Sequence, residues 1–258
     1  MLLALGAGIT GTPATCIGEL PPTLRQGQLI VARADPTCRI TVDGRVVRVA
    51  ADGTWVFGVG RDAERVVIAA DDGTSVERPV AKREWPIERV DGVPPATVTP
   101  PPEIAERIAR EQARVAQARR RDDARTDFDV RFVRPVEGRV SGVYGSQRVL
   151  NGTPKDPHYG LDVAAPTGTA VRAPAGGIVT LAERDFYLTG GTVLVDHGHG
   201  LTSAFLHLSR LDVAAGDRVE QGQTIGAVGA TGRASGAHLH WGFNWFDVRL
   251  DPALLLEK

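Results

Sequence analysis

Lysine, cysteine and histidine are all scarce in this chain, and each shortage narrows what it can be. Lys82, Lys155 and Lys258 are the only lysines, so positive charge rests almost wholly on arginine, and the formal net charge of the 258 residues is −1. Binding through nucleic-acid backbone phosphates needs a clear basic excess on one face, so no nucleic-acid partner is expected. Cys16 and Cys38 are the only cysteines. They could pair in an oxidising compartment, but cleavage near Ala14 or later could remove the first of them, so they decide nothing. No long hydrophobic run is present: the apolar start, Met1 to Ile9, is too short to span a bilayer.

What is there is a globular composition, 42% hydrophobic, long enough for one larger and one smaller domain. The apolar start leads into Gly11-Thr-Pro-Ala-Thr-Cys16, which looks like the end of a secretory signal, although the first basic residue is only Arg25. Residues 1–16 are therefore read as a possible signal segment and the location as periplasmic or secreted. Pro13-Ala-Thr-Cys16 lacks the leucine expected three residues before a lipidated cysteine.

From about Gln28 to Val80 apolar and polar residues alternate, and Asp-Gly pairs fall at 43–44, 52–53 and 72–73. Both residues tolerate positive φ, so each pair signals a hairpin, and residues 27–90 are expected to form a small all-β, sandwich-like module. Turn chemistry accounts for Asp43, Asp52 and Asp72 without calcium. A proline-rich stretch at 93–102 marks a boundary. A helix should follow from Glu103 to about Arg125, with Glu103–Arg107 and Glu106–Arg110 at i,i+4 and a narrow stripe of Ile104, Ile108 and Val115. So thin a stripe suits a connector lying on another surface, so residues 93–127 are read as linker and connector helix. Arg119-Arg120-Arg121 reads as a solvated helix end, because Asp122 and Asp123 follow.

From Phe132 onward short β-branched runs alternate with glycines, as in Gly177-Ile-Val-Thr-Leu and Thr192-Val-Leu-Val-Asp. Strands of four to six residues without helical period predict an antiparallel β domain over 132–258. The fold class is thus mainly β with one connecting helix.

All six histidines lie in that domain. His158 and Asp162 stand four apart around Gly160, His207 ends Ser203-Ala-Phe-Leu-His, and His238-Leu-His240 places two imidazoles at i and i+2. Alternate residues of a strand share a face, so both can look into one cavity, and spacing alone leaves open which of the two binds metal. A catalytic zinc site needs three protein donors from His and carboxylate, with a fourth position for water. An imidazole titrating near neutrality suits proton transfer beside it. A lone histidine is more often a satisfied polar residue than a ligand; three clusters in one domain are harder to dismiss. His197 and His199, in the glycine-rich Asp196-His-Gly-His-Gly200, read as turn residues.

These clusters, with Gly142-Val-Tyr-Gly-Ser-Gln-Arg148, Ala173-Pro-Ala-Gly-Gly177 and Gly216-Asp-Arg-Val-Glu-Gln-Gly-Gln-Thr-Ile-Gly226, resemble the lysostaphin/LytM-type zinc metallopeptidases of bacterial cell walls, from about Pro135 to Pro252. The resemblance implies His158, Asp162 and His240 as ligands of one Zn2+, His207 and His238 as catalytic imidazoles, and peptidoglycan stem peptides as substrate. It implies an endopeptidase; the alternative is a zinc-stabilised regulator of other wall hydrolases, which the complete ligand set disfavours. D-alanyl to diaminopimelate links and glycine bridges both remain open as the bond cut. A lipoyl-type carrier, suggested by the glycine-flanked hairpins, fails because no lysine lies between Lys155 and Lys258.

Overall fold

The computed structural model describes residues 16–92 and 100–257. The possible signal segment, save Cys16, and residues 93–99 of the proline-rich stretch lie outside them. The described residues are mostly strand, with one long helix, Pro102–Ala118.

In the N-terminal part the Asp-Gly pairs make the turns. Asp43 and Gly44 both take positive φ between the strands Ile40–Val42 and Arg45–Val47. The Asp52 and Asp72 carboxylates accept from the backbone N–H of Thr54 and Thr74, the local bonding that makes aspartate a turn residue. Strands Leu24–Arg25, Ser75–Ala81, Arg65–Ala70, Ile40–Val42 and Arg45–Val47 form one sheet in that order, and Leu29–Arg33 pairs with Thr54–Gly58. Trp55 and Phe57 of the latter strand are fully buried. Cys16 and Cys38 form a disulfide.

The C-terminal part is built on a sheet in the order Arg218–Val219, Gly177–Phe186, Gly190–Gly198, Leu201–Leu208, His238–Trp245, Leu161–Ala164, Arg139–Gly142, with Val248–Leu250 also paired to His238–Trp245. The central strands run 8 to 10 residues, longer than the four to six expected. Within the strand Gly190–Gly198, a Cβ on Gly190, Gly191 or Gly198 would strike Thr231, Leu208 or Arg125.

Alternation along His238–Trp245 sorts the faces. Leu239, Trp241 and Phe243 enter the main core, where a single cluster of buried side chains joins both parts of the chain, from Ile17 to Leu255. Burying one such aromatic contributes about 2–3 kcal/mol. The opposite face carries His238 and His240 and, further along the sheet, a second cluster of Leu181, Phe186, Leu194 and Ala204, on which Val115 and Ala118 of the helix rest.

That helix stops at Ala118, short of the Arg125 expected. Beyond it the arginines are drawn into side-chain contacts: Arg121 reaches the wholly buried Asp196 at 3.4 Å, and Arg125 pairs with the same carboxylate. Arg119 is half-buried, so the arginine run is not a simply solvated helix end. Arg107 likewise turns from Glu103 to Glu111, at 2.7 Å, and to Asp185, whereas Glu106 and Arg110 face each other as expected, at 3.8 Å.

The strand Ile87–Val90 pairs in parallel with Gln147–Leu150, so the last N-terminal strand enters a small sheet beside the histidine cluster. Nearby, Trp85 packs where a Cβ on Gly145 would lie 2.1 Å from its ring.

Candidate active site

Two neighbouring strands and one arch bring the first three candidates together. Asp162 stands directly opposite His240 in the antiparallel pair Leu161–Ala164 and His238–Trp245, so both side chains leave the sheet on one face. His158 arrives over the arch Tyr159-Gly160. Its Nε2 is 3.0 Å from Asp162 Oδ1 and 3.0 Å from His240 Nδ1, while His240 Nδ1 is 2.8 Å from Asp162 Oδ1. Glycine is required in two places. A Cβ on Gly160 would lie 2.5 Å from His240 Nε2, and one on Gly142 would lie 2.5 Å from Asp162 Oδ2.

The hydrogen bonding of this trio leaves it able to hold a cation. His158 Nδ1 lies 2.9 Å from the Val143 carbonyl, which can only accept, so Nδ1 carries the proton and Nε2 presents a lone pair. Three electron-pair donors, two nitrogens and a carboxylate oxygen, then face one another. Zinc bonds run about 2.0–2.2 Å, and each edge of the triangle is shorter than twice that, so one ion can reach all three donors. Arg148 Nη2 stands 3.5 Å from Asp162 Oδ2.

His207 reaches this face through a bulge. Leu206, not His207, lies opposite His240, and regular alternation would send His207 into the core. Instead its φ is 64°, the register with Gly190–Gly198 shifts at this point, and its N–H bonds the Thr189 carbonyl at 2.8 Å. Such a backbone costs on the order of 1–3 kcal/mol. The imidazole comes to rest 4.8 Å from the His238 ring and 6.4 Å from that of His240, centre to centre.

Both flanking imidazoles are held by main-chain carbonyls. His207 Nδ1 is 2.8 Å from Thr231 O and His238 Nδ1 is 2.9 Å from Gly236 O, which again puts the proton on Nδ1 and a lone pair on Nε2. Burial pushes the His207 pKa down to about 4, so this ring is neutral at physiological pH. His238 Nε2 is 4.0 Å from Asp162 Oδ1.

His197 and His199 lie elsewhere, where the strand Gly190–Gly198 ends and turns. His197 donates through Nδ1 to Gly176 O and accepts at Nε2 from Ser203 Oγ, at 2.6 and 2.8 Å, while the Ser203 oxygen also receives Trp241 Nε1–H at 3.3 Å. His199 packs against Phe128. Cys16, Cys38 and Asp71 also lie close together, but the disulfide occupies both sulfurs.

Sequence reasoning gave no role to Arg148, although it stands in a quoted motif, nor to the carbonyls of Val143, Thr231 and Gly236. Main-chain acceptors leave no signature in residue type.

Residues 156–252 match the family described as Peptidase family M23. A crystal structure of a peptidase from Pseudomonas aeruginosa, titled as a putative peptidase M23, is 32% identical with a TM-score of 0.69, over 92% of this chain and 96% of that one. The chain belongs to peptidase family M23. Among named relatives, the peptidoglycan DD-endopeptidase ShyA of Vibrio cholerae is 36% identical over 116 residues, 45% of this chain and 23% of that protein. The DD-carboxypeptidase/endopeptidase Mpg of Neisseria meningitidis is 44% identical over 84 residues, 33% of this chain and 19% of that protein. This chain thus spans about a quarter or less of the length of these curated relatives.

Proposed function

We propose that this M23 chain is a zinc metalloendopeptidase that hydrolyses peptide cross-links of bacterial peptidoglycan. The observation that carries the reading is the trio of mutually facing lone-pair donors, His158 Nε2, Asp162 Oδ1 and His240 Nδ1, with two Nδ1-protonated imidazoles beside it. Zinc bound by these three residues supplies Lewis-acid polarisation of the scissile carbonyl and a water whose pKa falls toward about 7. His207 and His238 present Nε2 as proton acceptors: either can take the proton of the attacking water and return it to the departing amine. The carbonyls of Thr231 and Gly236 hold the two rings in the tautomer this requires. Arg148 keeps positive charge beside Asp162 and so favours its ionised form.

The names of the relatives, DD-endopeptidases of peptidoglycan, favour a bond between two D-centres over a glycine bridge. A periplasmic or secreted location suits both that substrate and the Cys16–Cys38 disulfide. No helix among the described residues is long and apolar enough to cross a membrane. The regulator reading is disfavoured because both the donor trio and the flanking imidazoles are complete.

His240→Ala is expected to lose both bound zinc and cleavage. His238→Ala should keep zinc and lose turnover by about 100-fold or more. Zinc content and mass spectrometry of fragments released from purified wall read the two effects separately, and metal-free protein that still digests wall overturns the proposal.

A further inference from the structure

His207 reaches the site face because its backbone leaves the strand alternation, with φ at 64°. A residue in that region persists where its surroundings over-determine it, so the groups that fix His207 bear on the chemistry. Two segments do so. The Thr231 carbonyl accepts from the ring at Nδ1, and the Thr189 carbonyl accepts the His207 backbone N–H, both at 2.8 Å.

Thr189 ends a three-residue turn, 187–189, between the strands Gly177–Phe186 and Gly190–Gly198, which meet at the pair Phe186 and Gly190. So short a hairpin loop has little slack, and each of its residues is tied to a different part of the molecule. Thr189 holds His207, while the Leu188 carbonyl accepts the Arg233 N–H at 2.9 Å. At the other end of the turn the Tyr187 N–H donates to Glu111 Oε2 at 2.8 Å. Glu111 sits on the helix Pro102–Ala118, outside the residues 156–252 that match the family.

That carboxylate is itself held. Its side chain is 14% exposed, and Arg107, one helical turn earlier, donates through Nε to Glu111 Oε1 at 2.7 Å. The same guanidinium reaches the carbonyl and carboxylate of Asp185 and lies 5.8 Å from the centre of the Tyr187 ring. One oxygen of Glu111 is thus engaged by the helix and the other by the turn, and an ionised acceptor bonds an N–H more strongly than a neutral one. Leu206, the residue before His207, packs against the apolar cluster on which Val115 and Ala118 of the helix rest. The helix therefore shares a packing cluster with the strand that carries His207 and anchors the turn to which His207 bonds.

We propose that Glu111 is a positioning residue for the hydrolysis: through the turn 187–189 it holds the His207 backbone in its left-handed conformation and so aims the imidazole at the attacking water. The proposal rests on the peptidase reading above. Glu111 acts on no reacting atom itself, so its loss should appear in the turnover of bound substrate. A misplacement of about 1 Å can cost about 100-fold in rate.

The zinc-loaded full chain is compared with Glu111→Ala, Glu111→Gln and Arg114→Ala on soluble cross-linked stem-peptide dimers prepared from purified wall. In Glu111→Ala, kcat should fall about tenfold or more, with KM within about twofold and zinc content unchanged. Glu111→Gln, whose side-chain oxygen can still accept the Tyr187 N–H, should stay within about threefold of wild type. Arg114→Ala, which removes an ion pair on the same helix, should leave both constants nearly unchanged. NMR of the imidazole nitrogens reads the ring without turnover, the His207 signal being assigned by its loss in His207→Ala. Its Nδ1-protonated signature should shift or broaden in Glu111→Ala and persist in Glu111→Gln. Should Glu111→Ala not fold, Arg107→Met, which frees one oxygen of the carboxylate, is read in the same way and should lower kcat about threefold. An unchanged kcat, or a His207 signal identical to that of wild type, overturns the proposal. So does a glutamine variant as slow as the alanine one, or an equal loss in Arg114→Ala, which would mark a general effect of the helix. Wild-type protein that cleaves no dimer, while the His207 signal responds as expected, sinks the peptidase reading alone.

Discussion

At the scale of single residues, the six histidines divide by what their nitrogens touch. Five of the polar candidates, His158, Asp162, His207, His238 and His240, gather at one place, whereas His197 is locked between a carbonyl and a serine hydroxyl. Burial pushes the His197 pKa down to about 4, against about 6.5 for an exposed ring. As pH falls, the unfolded chain therefore takes up this proton first. The stability His197 contributes is full above about pH 6.5 and is lost progressively between about 6.5 and 4. Urea midpoints measured across that window should fall more steeply in the wild type than in His197→Gln, and equal slopes would show that this ring is not the source. Residue types and spacing were enough to nominate the clustered set. The turning of His207 onto the site face was not legible, because a strand reading Phe-Leu-His predicts alternation and the bulge depends on partners at Thr189 and Thr231.

Among elements, the connector helix shows how a weak sequence stripe becomes a specific contact. Val115 and Ala118 rest on Leu181, Phe186, Leu194 and Ala204, and Glu111 accepts the backbone N–H of Tyr187 at 2.8 Å. Val115→Asp would set an unpaired carboxylate on that surface, costing about 1–3 kcal/mol. Trypsin should then cut faster at Arg107, Arg110 and Arg114 while zinc content is preserved. Arg114→Ala, which removes a largely exposed pair with Glu183, should cost less than about 1 kcal/mol and leave cleavage rates nearly unchanged. The amphipathic stripe made this helix legible in the sequence, but not where it ends. Asp196, distant in sequence, draws Arg121 and Arg125 into other geometry, and Asp127, two residues on, also pairs with Arg125.

For the whole molecule, the telling fact is that one apolar cluster runs through both parts of the chain. Gly58 of the N-terminal part is glycine because a Cβ there would come within 2.8 Å of Leu250 and 3.0 Å of Trp245. Such close packing predicts one calorimetric unfolding transition for the full chain, rather than two. A fragment beginning at residue 100 should lose the cover over Leu250, Trp245 and Tyr144 and melt about 10 °C lower or more, since 1 kcal/mol shifts a chain of this size by about 2–4 °C. Hydrophobic alternation announced two β regions on either side of a proline-rich stretch. Nothing in the alternation announced that their buried faces meet, because a pattern of period two reports which side of a strand is dry but not what dries it.

The parallel pairing of Ile87–Val90 with Gln147–Leu150 also sets an order on assembly. A ribosome adding roughly 5–20 residues per second delivers the second strand about 3–11 seconds after the first. Throughout that interval Ile87–Val90 has no partner to complete its ladder, so the N-terminal half leaves synthesis unfinished and closes only when the histidine-bearing half arrives.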